Sequence, residues 1–461
     1  MNHLRIKSLN EIAVEIKNTK LRKNLGVLDL ILLGLGAIIG TGIFVLTGIA
    51  AAQYAGPAIT VSFAIGAVAC VFTALAYAEL ASMLPVAGSA YTYTYVTLGE
   101  LLAALVGWFV LMVFTCGGAT VASGWSGYLV GILRSLGVVI PDQISKIPSQ
   151  GGIINLPAVG IVFCLTLFLL VGTKGATKLN GVLVGVKLVA ILIFLVAATP
   201  HIDPTHWKVF APHGFFGMAA GAGFIFMAYN GFDTLATAAE ECKNPNRDLP
   251  IGIIGSLLVS AVLYIVVSGV LTAIAPYSSL NSSEPMAYAL RRNGVDIGAK
   301  LVATGAIAAM TTVLLTQIFG QSRILMVMAR DGLVPDFFAQ VNARFGTPHF
   351  GILASGWVMM LISGFVSVST LGQLSSMATL AVFAFVSVEV MVMRYKHPEV
   401  KRTFRCPAVY WVSSVSAGLC FFLFTQLWVE NWKFYLISTL IGLIFYFSYG
   451  YRHSRFSRHR A

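Results

Sequence analysis

The chain has 461 residues, of which 57% are hydrophobic and only 10% carry a charge, and its mean hydropathy is +0.84. This composition excludes a water-soluble globular protein, a disordered chain, a collagen and a coiled coil. A net charge of +12 would indicate a nucleic-acid partner in a soluble protein, but in so apolar a chain we expect the cations in loops and no nucleic acid. The six cysteines form no CxxC pair, so we expect no disulfide framework, no metal and no cofactor.

Apolar stretches of about 20 residues predict twelve membrane-spanning helices. We label them helices 1 to 12, at 27–51, 57–83, 100–131, 153–172, 181–199, 215–239, 251–275, 299–328, 351–369, 370–393, 408–429 and 432–450. An even number of spans places both termini on one side of the membrane. The apolar run after residue 24 is too long for a secretory signal peptide and lacks its cleavage pattern, so we expect no segment to be removed.

Lysine and arginine are distributed unequally between the two sides of this topology. Of the thirty, 22 lie in the tails and loops on the side of the termini, seven lie on the opposite side, and Lys187 lies within helix 5. Because basic loops stay in the cytoplasm during insertion, both termini are predicted to be cytoplasmic, and the protein to be a multi-pass protein of the plasma (inner) membrane. Residues 1–24 and 451–461 form basic tails. The first tail fits either a helix on the membrane surface or a solvated segment.

Glycines crowd the middle of two of these helices. Helix 1 contains GLGAIIGTGIF and helix 6 contains AGAGFIFMAYNGFDT. Because each glycine costs a helix roughly 1 kcal/mol relative to alanine, both segments are predicted to be unwound; close helix packing is the alternative. Helix 6 is the first of the second five helices, and a unit of five enters the membrane from the opposite face when it is repeated. Paired breaks therefore indicate an inverted repeat with a binding site between its halves.

The two breaks present opposite partial charges near the membrane centre. Beyond the break of helix 1, the free main-chain N–H groups of Gly40–Gly42 suit a carboxylate. Before the break of helix 6, the free carbonyl groups of Phe226–Ala228 suit an ammonium group. A site with both ends suits a zwitterion, so the predicted substrate is an amino acid.

Several motifs, taken together, resemble a known family of transporters. They are GAIIGTGIF at Gly36–Phe44, Tyr77–Glu79 with Pro85–Tyr91, Thr97–Glu100, Tyr229–Asp233 with Ala238–Glu241 and Asn244–Pro245, and Arg330–Pro335. Over residues 21–410 the chain resembles the amino acid, polyamine and organocation transporter superfamily, and within it the cationic amino acid transporter branch. The resemblance implies an all-α membrane protein of the LeuT type, with a five-plus-five inverted repeat at 25–199 and 215–393, two added helices at 408–450, and secondary active transport by alternating access.

The predicted substrate site combines residues of helices 1, 3, 6 and 8. Its members are Ile38, Ile39, Gly40, Thr41, Gly42, Cys116, Phe226, Met227, Ala228, Asn230, Thr316 and Gln317. The acids that the cationic branch carries on helix 3 are replaced here by Phe109 and Val113, so small neutral L-amino acids are favoured unless Asp233 or water compensates a cationic side chain. Asn230, Thr316 and Gln317 would allow a polar substrate side chain, or could bond to neighbouring helices instead.

Lys187 lies in the middle of helix 5, with no acid in the same helix. A lysine at the centre of a span costs roughly 2.5 to 3.5 kcal/mol on insertion scales, a cost typical of functional residues. The resemblance implies that its ammonium group takes the place of a sodium ion between helices 1, 5 and 8. We predict that it couples protons to transport, with Thr311 or Thr312 as partner. A permanently charged structural lysine bonded to carbonyl groups of helix 1 is the alternative.

Residues beyond the break of helix 6 are predicted to shape the gate: Gly231, Phe232 and Asp233. Asp233 could orient the break, pair with a substrate cation, or cap the following helix. Glu79, Glu240 and Glu241 fall near helix ends, where a solvated or arginine-paired carboxylate is expected and an inner gate is the alternative.

The spans contain no Ser/His or metal-binding constellation, so an enzyme is not expected. An amino acid exchanger, a transporter of cationic amino acids or polyamines, and a non-transporting amino acid sensor stay open as alternatives. The expected partners are an amino acid, protons and the lipid bilayer. The sequence leaves the oligomeric state and any small membrane subunit open.

Overall fold

A computed structural model describes residues 5–7, 25–84, 88–172, 174–237, 242–342, 345–400 and 402–455. These residues are mostly helical and form no β-strand; one isolated bridge pairs Leu25 with Cys242. Eight helices are long and apolar enough to cross a membrane, and three apolar helices of 10–17 residues accompany them. The expected all-helical membrane protein is confirmed. The count of twelve spans and the inverted repeat stay predictions.

The helical segments of the first ten predicted helices follow the expected order. Their bounds are Val27–Ile38, Gly42–Leu46, Thr47–Ala50 and Ala51–Ala55 in helix 1, Ile59–Met83, Glu100–Ser135, Leu156–Val171, Lys174–Ala198, then Gly214–Phe224, Ile225–Tyr229 and Thr234–Thr237 in helix 6, Pro245–Ile274, Asp296–Arg330, His349–Phe365 and Val368–Lys396. Two further helices, Ser89–Thr97 and Pro285–Arg292, lie in the connections before helices 3 and 8. They were not predicted from the sequence.

Helical structure continues through the predicted boundary between helices 11 and 12 near residue 430, where the sequence predicted a non-helical connection. Residues Val409–Phe445 form one helical stretch of 37 residues, followed by the π-helical turn Tyr446–Gly450. The sequence at 429–432 contains neither glycine nor proline, the residues that most often interrupt a helix. A straight helix of that length would be about 55 Å long.

Both ends of this helical stretch nevertheless contact the same end of the bundle. The amide of Cys406, just before it, donates a hydrogen bond to Glu79, and the hydroxyl of Tyr446, just after it, donates one to Glu100. Those two acids lie together beside the last turn of helix 10: Arg394 pairs with Glu79, and Lys396 donates to the carbonyl of Thr97, three residues before Glu100. The chain therefore reverses direction within Val409–Phe445.

We call the end of the bundle where helix 10 terminates the basic end; it is defined by Arg5, Lys7, Arg394 and Arg402. Arg394 forms two hydrogen bonds of 2.7 Å to the two carboxylate oxygens of Glu79, which is 1% exposed. Arg402 lies 3.3 Å from the same carboxylate. The arginine-paired interpretation of Glu79 is thus confirmed, whereas Glu240 and Glu241 lie outside the described residues.

Both chain termini contact the basic end. Lys7 is 4% exposed, and its ammonium group lies 3.1 Å from a carboxylate oxygen of Asp331, at the end of helix 8. Arg5 lies 2.9 Å from Glu100. From the other terminus, the amide of Arg455 donates to the carbonyl oxygen of Asp331 at 3.0 Å. Residues 5–7 are therefore packed against the protein, while most of the predicted first tail lies outside the described residues.

We expect Glu79→Gln to lower the free energy of unfolding by roughly 3 to 5 kcal/mol, because it leaves two buried or half-buried arginines without their counter-charge. Thermal unfolding of the detergent-solubilised protein measures the effect. Asp142→Asn is the matched control, since it removes an exposed pair with Lys146 and should cost about 1 kcal/mol or less. Equal shifts in the two variants would contradict a structural role for the Glu79 cluster.

Candidate functional site

Helix 1 is interrupted where its glycines predicted a break. The first half ends at Ile38, and Ile39 has extended dihedral angles, with φ of −76° and ψ of 105°. Helical structure resumes at Thr41 and continues as the π-helical turn Gly42–Leu46. Because the chain is extended between the halves, the carbonyl groups that end the first half and the N–H groups that begin the second half lack their usual helical partners.

Helix 6 is interrupted at the matching place. The segment Ile225–Tyr229 narrows to a 3-10 helix, Asn230 is extended, and Gly231 has a φ of +127°. Only glycine adopts this last conformation without strain. Helical structure resumes at Thr234. Both interruptions predicted from the sequence are therefore present.

The two breaks touch each other. A Cβ atom added to Gly231 would lie 2.7 Å from the carbonyl carbon of Ala37, and one added to Gly42 would lie 2.6 Å from the Cα atom of Ala228. Both distances are shorter than real Cβ contacts allow, and the obstructing atoms belong to the main chain. Glycine at these two positions is thus required for the close crossing of helices 1 and 6.

A tyrosine of helix 7 joins the two breaks. The hydroxyl of Tyr264 lies 2.9 Å from the carbonyl oxygen of Ile38 and 2.9 Å from that of Ala228. Tyr264 is fully buried. The sequence analysis missed this residue, although a tyrosine in the middle of an apolar span is a usable signal, because its buried hydroxyl must find a polar partner.

A small cavity lies beside the contact between the breaks. Its wall consists of Ala37, Val113, Phe114, Asn230, Gly231, Asp233, Thr234, Thr316 and Gln317. The structure therefore brings together five residues that the sequence predicted for the substrate site or gate, from helices 6 and 8. Val113, which stands where the cationic branch has an acid, also lies on this wall.

Hydrogen bonds hold most of the polar side chains of the cavity wall, and one acceptor among them has no partner among the described residues. The amide nitrogen of Asn230 donates to Thr379 at 2.9 Å, and its buried oxygen has no partner among the described residues. The hydroxyl of Thr316 donates to the carbonyl of Val313. Asp233 accepts a hydrogen bond of 3.1 Å from the amide of Gly231, so its carboxylate orients the break.

Other predicted site residues lie away from the cavity wall. Phe226 and Phe232 both pack on Phe383, with ring centroids 5.9 and 5.1 Å apart. The amide of Met227 donates to Ser376 of helix 10, and Cys116 is 8% exposed in helix 3. These positions support the shape of the break of helix 6, and none of them is on the cavity wall.

The residues predicted for the helix 1 side lie at its break. Ile38, Ile39, Gly40, Thr41 and Gly42 are all buried, and none of them lies on the wall of the small cavity. The hydroxyl of Thr41 is buried without a partner among the described residues. A buried hydroxyl without a partner is costly, so this group is available to a ligand at the start of the second half.

Lys187 is fully buried against the end of the first half of helix 1. Its ammonium nitrogen lies 2.6 Å from the carbonyl oxygen of Gly36, 3.0 Å from that of Ile39 and 3.3 Å from the hydroxyl of Thr312. The contact with Thr312 is as predicted. Thr311 instead accepts a hydrogen bond from Trp125 and donates one to Ile307.

We expect Tyr264→Phe to weaken binding of the predicted amino acid substrate by about tenfold, because one or two hydrogen bonds of roughly 1 kcal/mol each no longer hold the breaks together. The measurement is the concentration of a labelled amino acid that half-saturates binding. Tyr128→Phe is the control: its hydroxyl donates to the carbonyl of Phe44, beyond the break. The control should lower stability and leave affinity within about twofold. Equal loss of affinity in both variants would remove Tyr264 from the site.

Several known proteins are similar to this chain over most of its length. A family model described as amino acid permease matches residues 25–448. The chain is 41% identical over 452 residues to the methylthioribose transporter of Bacillus subtilis (strain 168), covering 98% of both chains. It is 40% identical over 461 residues to the branched-chain amino acid permease BcaP of the same organism, covering 98% of this chain and 99% of that one.

A third relative is cationic amino acid transporter 4 of Mus musculus, which is 39% identical over 399 residues, covering 85% of this chain and 62% of the mouse protein. These relatives are transporters and not enzymes, as the sequence predicted. The family resemblance drawn from the motifs is likewise confirmed. The chain belongs to the amino acid permease family of the amino acid, polyamine and organocation transporter superfamily.

Proposed function

We propose that this protein takes up small neutral L-amino acids together with protons, by alternating access within a LeuT-type fold of twelve spans. The interruptions of helices 1 and 6 support this architecture, because these are the first helices of the two predicted repeats, 25–199 and 215–393. The excess of basic residues at the basic end supports a cytoplasmic location for that end and for both termini, in the plasma (inner) membrane.

The substrate's charged groups would be held by the main chain at the two breaks. The N–H groups at Gly40–Gly42 begin the second half of helix 1 and favour a carboxylate, and the partnerless hydroxyl of Thr41 adds a donor there. Carbonyl groups near the end of Ile225–Tyr229 favour the ammonium group. The carbonyl of Ala228 already accepts from Tyr264, so a bound ammonium group would share that oxygen.

A neutral side chain is favoured by the composition of the small cavity. Val113 is the helix 3 residue where a counter-charge would stand, and Phe109 stacks on Tyr435. Asp233 is the acid on the cavity wall, and it already bonds to the main chain of the break. The named relatives carry three different substrate descriptions, so similarity alone does not choose among methylthioribose, branched-chain and cationic substrates.

We expect alanine, serine and threonine to compete for transport at least about tenfold better than arginine or lysine, because a buried cation without an added counter-charge costs several kcal/mol. Counterflow in proteoliposomes against a panel of unlabelled amino acids, methylthioribose and polyamines measures this order. Strong competition by arginine would instead support the cationic alternative, with Asp233 as counter-charge. Absence of counterflow with any compound that binds would favour a sensor.

The observation that carries the proton-coupling proposal is the set of three acceptors around Lys187. A protonated amine has three N–H groups, and the three acceptors use all of them. A neutral amine has only two, and its lone pair would face a carbonyl oxygen or the hydroxyl. Loss of the proton therefore weakens the tie between helix 5, the break of helix 1 and Thr312, which would favour opening toward the cytoplasm.

We expect Lys187→Ala to keep its fold and some exchange activity but to lose accumulation driven by an inward proton gradient, because the group that holds the break of helix 1 no longer depends on a proton. The measurement is uptake into proteoliposomes with and without an imposed pH gradient. Lys300→Ala, which removes an exposed lysine of helix 8, is the control and should behave as the wild type. Gradient-driven accumulation that survives in Lys187→Ala would leave the lysine a structural role and favour the exchanger alternative.

A further inference from the structure

Helix 10 carries one acid, Glu389, whose side chain is fully buried within the span. It lies seven residues before the end of the helix at Lys396. A buried acid in a membrane span is costly when ionised, and such residues commonly have a function. Neither the predicted substrate site nor the proposed role of Lys187 uses this group.

The hydrogen bonds around Glu389 would leave an ionised carboxylate poorly satisfied. One oxygen lies 2.5 Å from the hydroxyl of Thr94, and the other is buried without a partner among the described residues. The hydroxyl of Thr94 also lies 2.9 Å from the carbonyl oxygen of Ala90, and it has a single hydrogen to donate. Only one of these two acceptors can receive that hydrogen, so at most one described donor serves the two oxygens of Glu389.

No described cation neutralises this carboxyl group. The arginines at the end of helix 10, Arg394 and Arg402, pair with Glu79. Lys396 donates to the carbonyl oxygen of Thr97. An ionised Glu389 would therefore be a buried anion without a counter-charge, which costs far more than a neutral carboxylic acid in the same place.

Glu389 lies between the substrate cavity and the basic end. Thr379 of the same helix accepts a hydrogen bond from Asn230 of the cavity wall, and Arg394 pairs with Glu79 at the basic end. Glu389 lies between these two residues along helix 10.

Other titratable groups lie on the elements around Glu389, and three of them are acids. The titratable groups on the neighbouring elements toward the basic end are Tyr77 and Glu79 of helix 2, Tyr91, Tyr93 and Tyr95 of Ser89–Thr97, Glu100 of helix 3, Asp233 beside helix 6, and Cys406 and Tyr410 around the start of helix 11. Of these acids, Glu79 and Glu100 are paired with arginine, at 2.7 and 2.9 Å.

We propose that Glu389 is a second proton-binding site of the transporter, which holds its proton in this conformation and releases it toward the basic end. The step is a simple proton transfer: the carboxyl O–H bond breaks, water at the basic end accepts the proton, and the carboxylate is hydrated when that side opens. This inference rests on the proposed proton-coupled transport, but its test does not require transport.

The first measurement follows the proton itself. Infrared difference spectroscopy of the purified protein should show a carbonyl stretching band of a protonated carboxylic acid that disappears as the pH rises and that is missing in Glu389→Gln. Glu399→Gln, the same substitution at an exposed residue of the following loop, should keep the band. A band that persists at all accessible pH values, or one that survives in Glu389→Gln, would overturn the proposal.

The second measurement reports the consequence for transport. Counterflow at equal pH on both sides should decline in the wild type by roughly tenfold per pH unit above the midpoint of the infrared band, as the loss of one required proton predicts. Glu389→Gln should lose the decline that has this midpoint and keep only the pH dependence that Lys187 contributes. A wild-type profile in the variant would overturn the proposal. If Glu389→Gln fails to fold, Thr94→Val serves instead: it keeps the acid, removes the hydroxyl that bonds to it and should shift the pH at which the infrared band disappears, whereas an unchanged band would count against the proposal.

Should the wild type show the infrared titration but no gradient-driven accumulation, proton-coupled uptake fails and the proton site at Glu389 stands. If accumulation occurs and depends on Lys187 while Glu389→Gln keeps the wild-type pH profile, proton-coupled uptake stands and the proton site at Glu389 fails. The two proposals are thus separated by different observations on the same set of variants.

Discussion

The contact between the two interrupted helices depends on replacing main-chain hydrogen bonds inside a membrane. Unwound residues expose N–H and C=O groups that lipid cannot satisfy, so protein side chains must do so. Lys187 donates to two carbonyl groups of helix 1. The hydroxyl of Tyr264 lies within hydrogen-bond distance of one carbonyl oxygen from each break. Ser376 accepts from the amide of Met227 in helix 6 and donates to the carbonyl of Phe224 before it. Helices 5, 7 and 10 thus supply the three side chains that stabilise the two breaks around the contact between Gly231 and Ala37.

Main-chain groups at the breaks bond to side chains of neighbouring helices, and this explains which parts of the site could be predicted from the sequence. Glycines in the middle of an apolar span, and a lysine with no acid in its own helix, are unusual enough to indicate a function from the sequence alone. Both breaks and the contact of Lys187 with Thr312 were therefore expected. Tyr264 and Ser376 were missed because hydroxyl residues are common in membrane helices and usually bond to their own helix. Nothing in the sequence tells which of them turns its hydroxyl to a neighbouring break.

The same reasoning explains why the family can be recognised from the sequence while the substrate cannot. The groups proposed to hold the carboxylate and ammonium of an amino acid belong mainly to the main chain, so many sequences can provide them once the breaks exist. Under that proposal, selectivity would come from a few side chains such as Val113, Asn230 and Gln317 on the cavity wall. Chains that are about 40% identical can therefore share the fold while their described substrates differ, as those of the three relatives do.

For helices 11 and 12, hydropathy located the apolar residues but did not predict the form of the connection between them. A related surprise is that Asp331 receives residues from both chain termini, Lys7 by its side chain and Arg455 by its amide. Residues near both ends of the described chain are therefore attached to the end of helix 8. A fluorescent label attached beside Arg455 would lie close to that helix end, and so would report its displacement without a substitution inside the membrane.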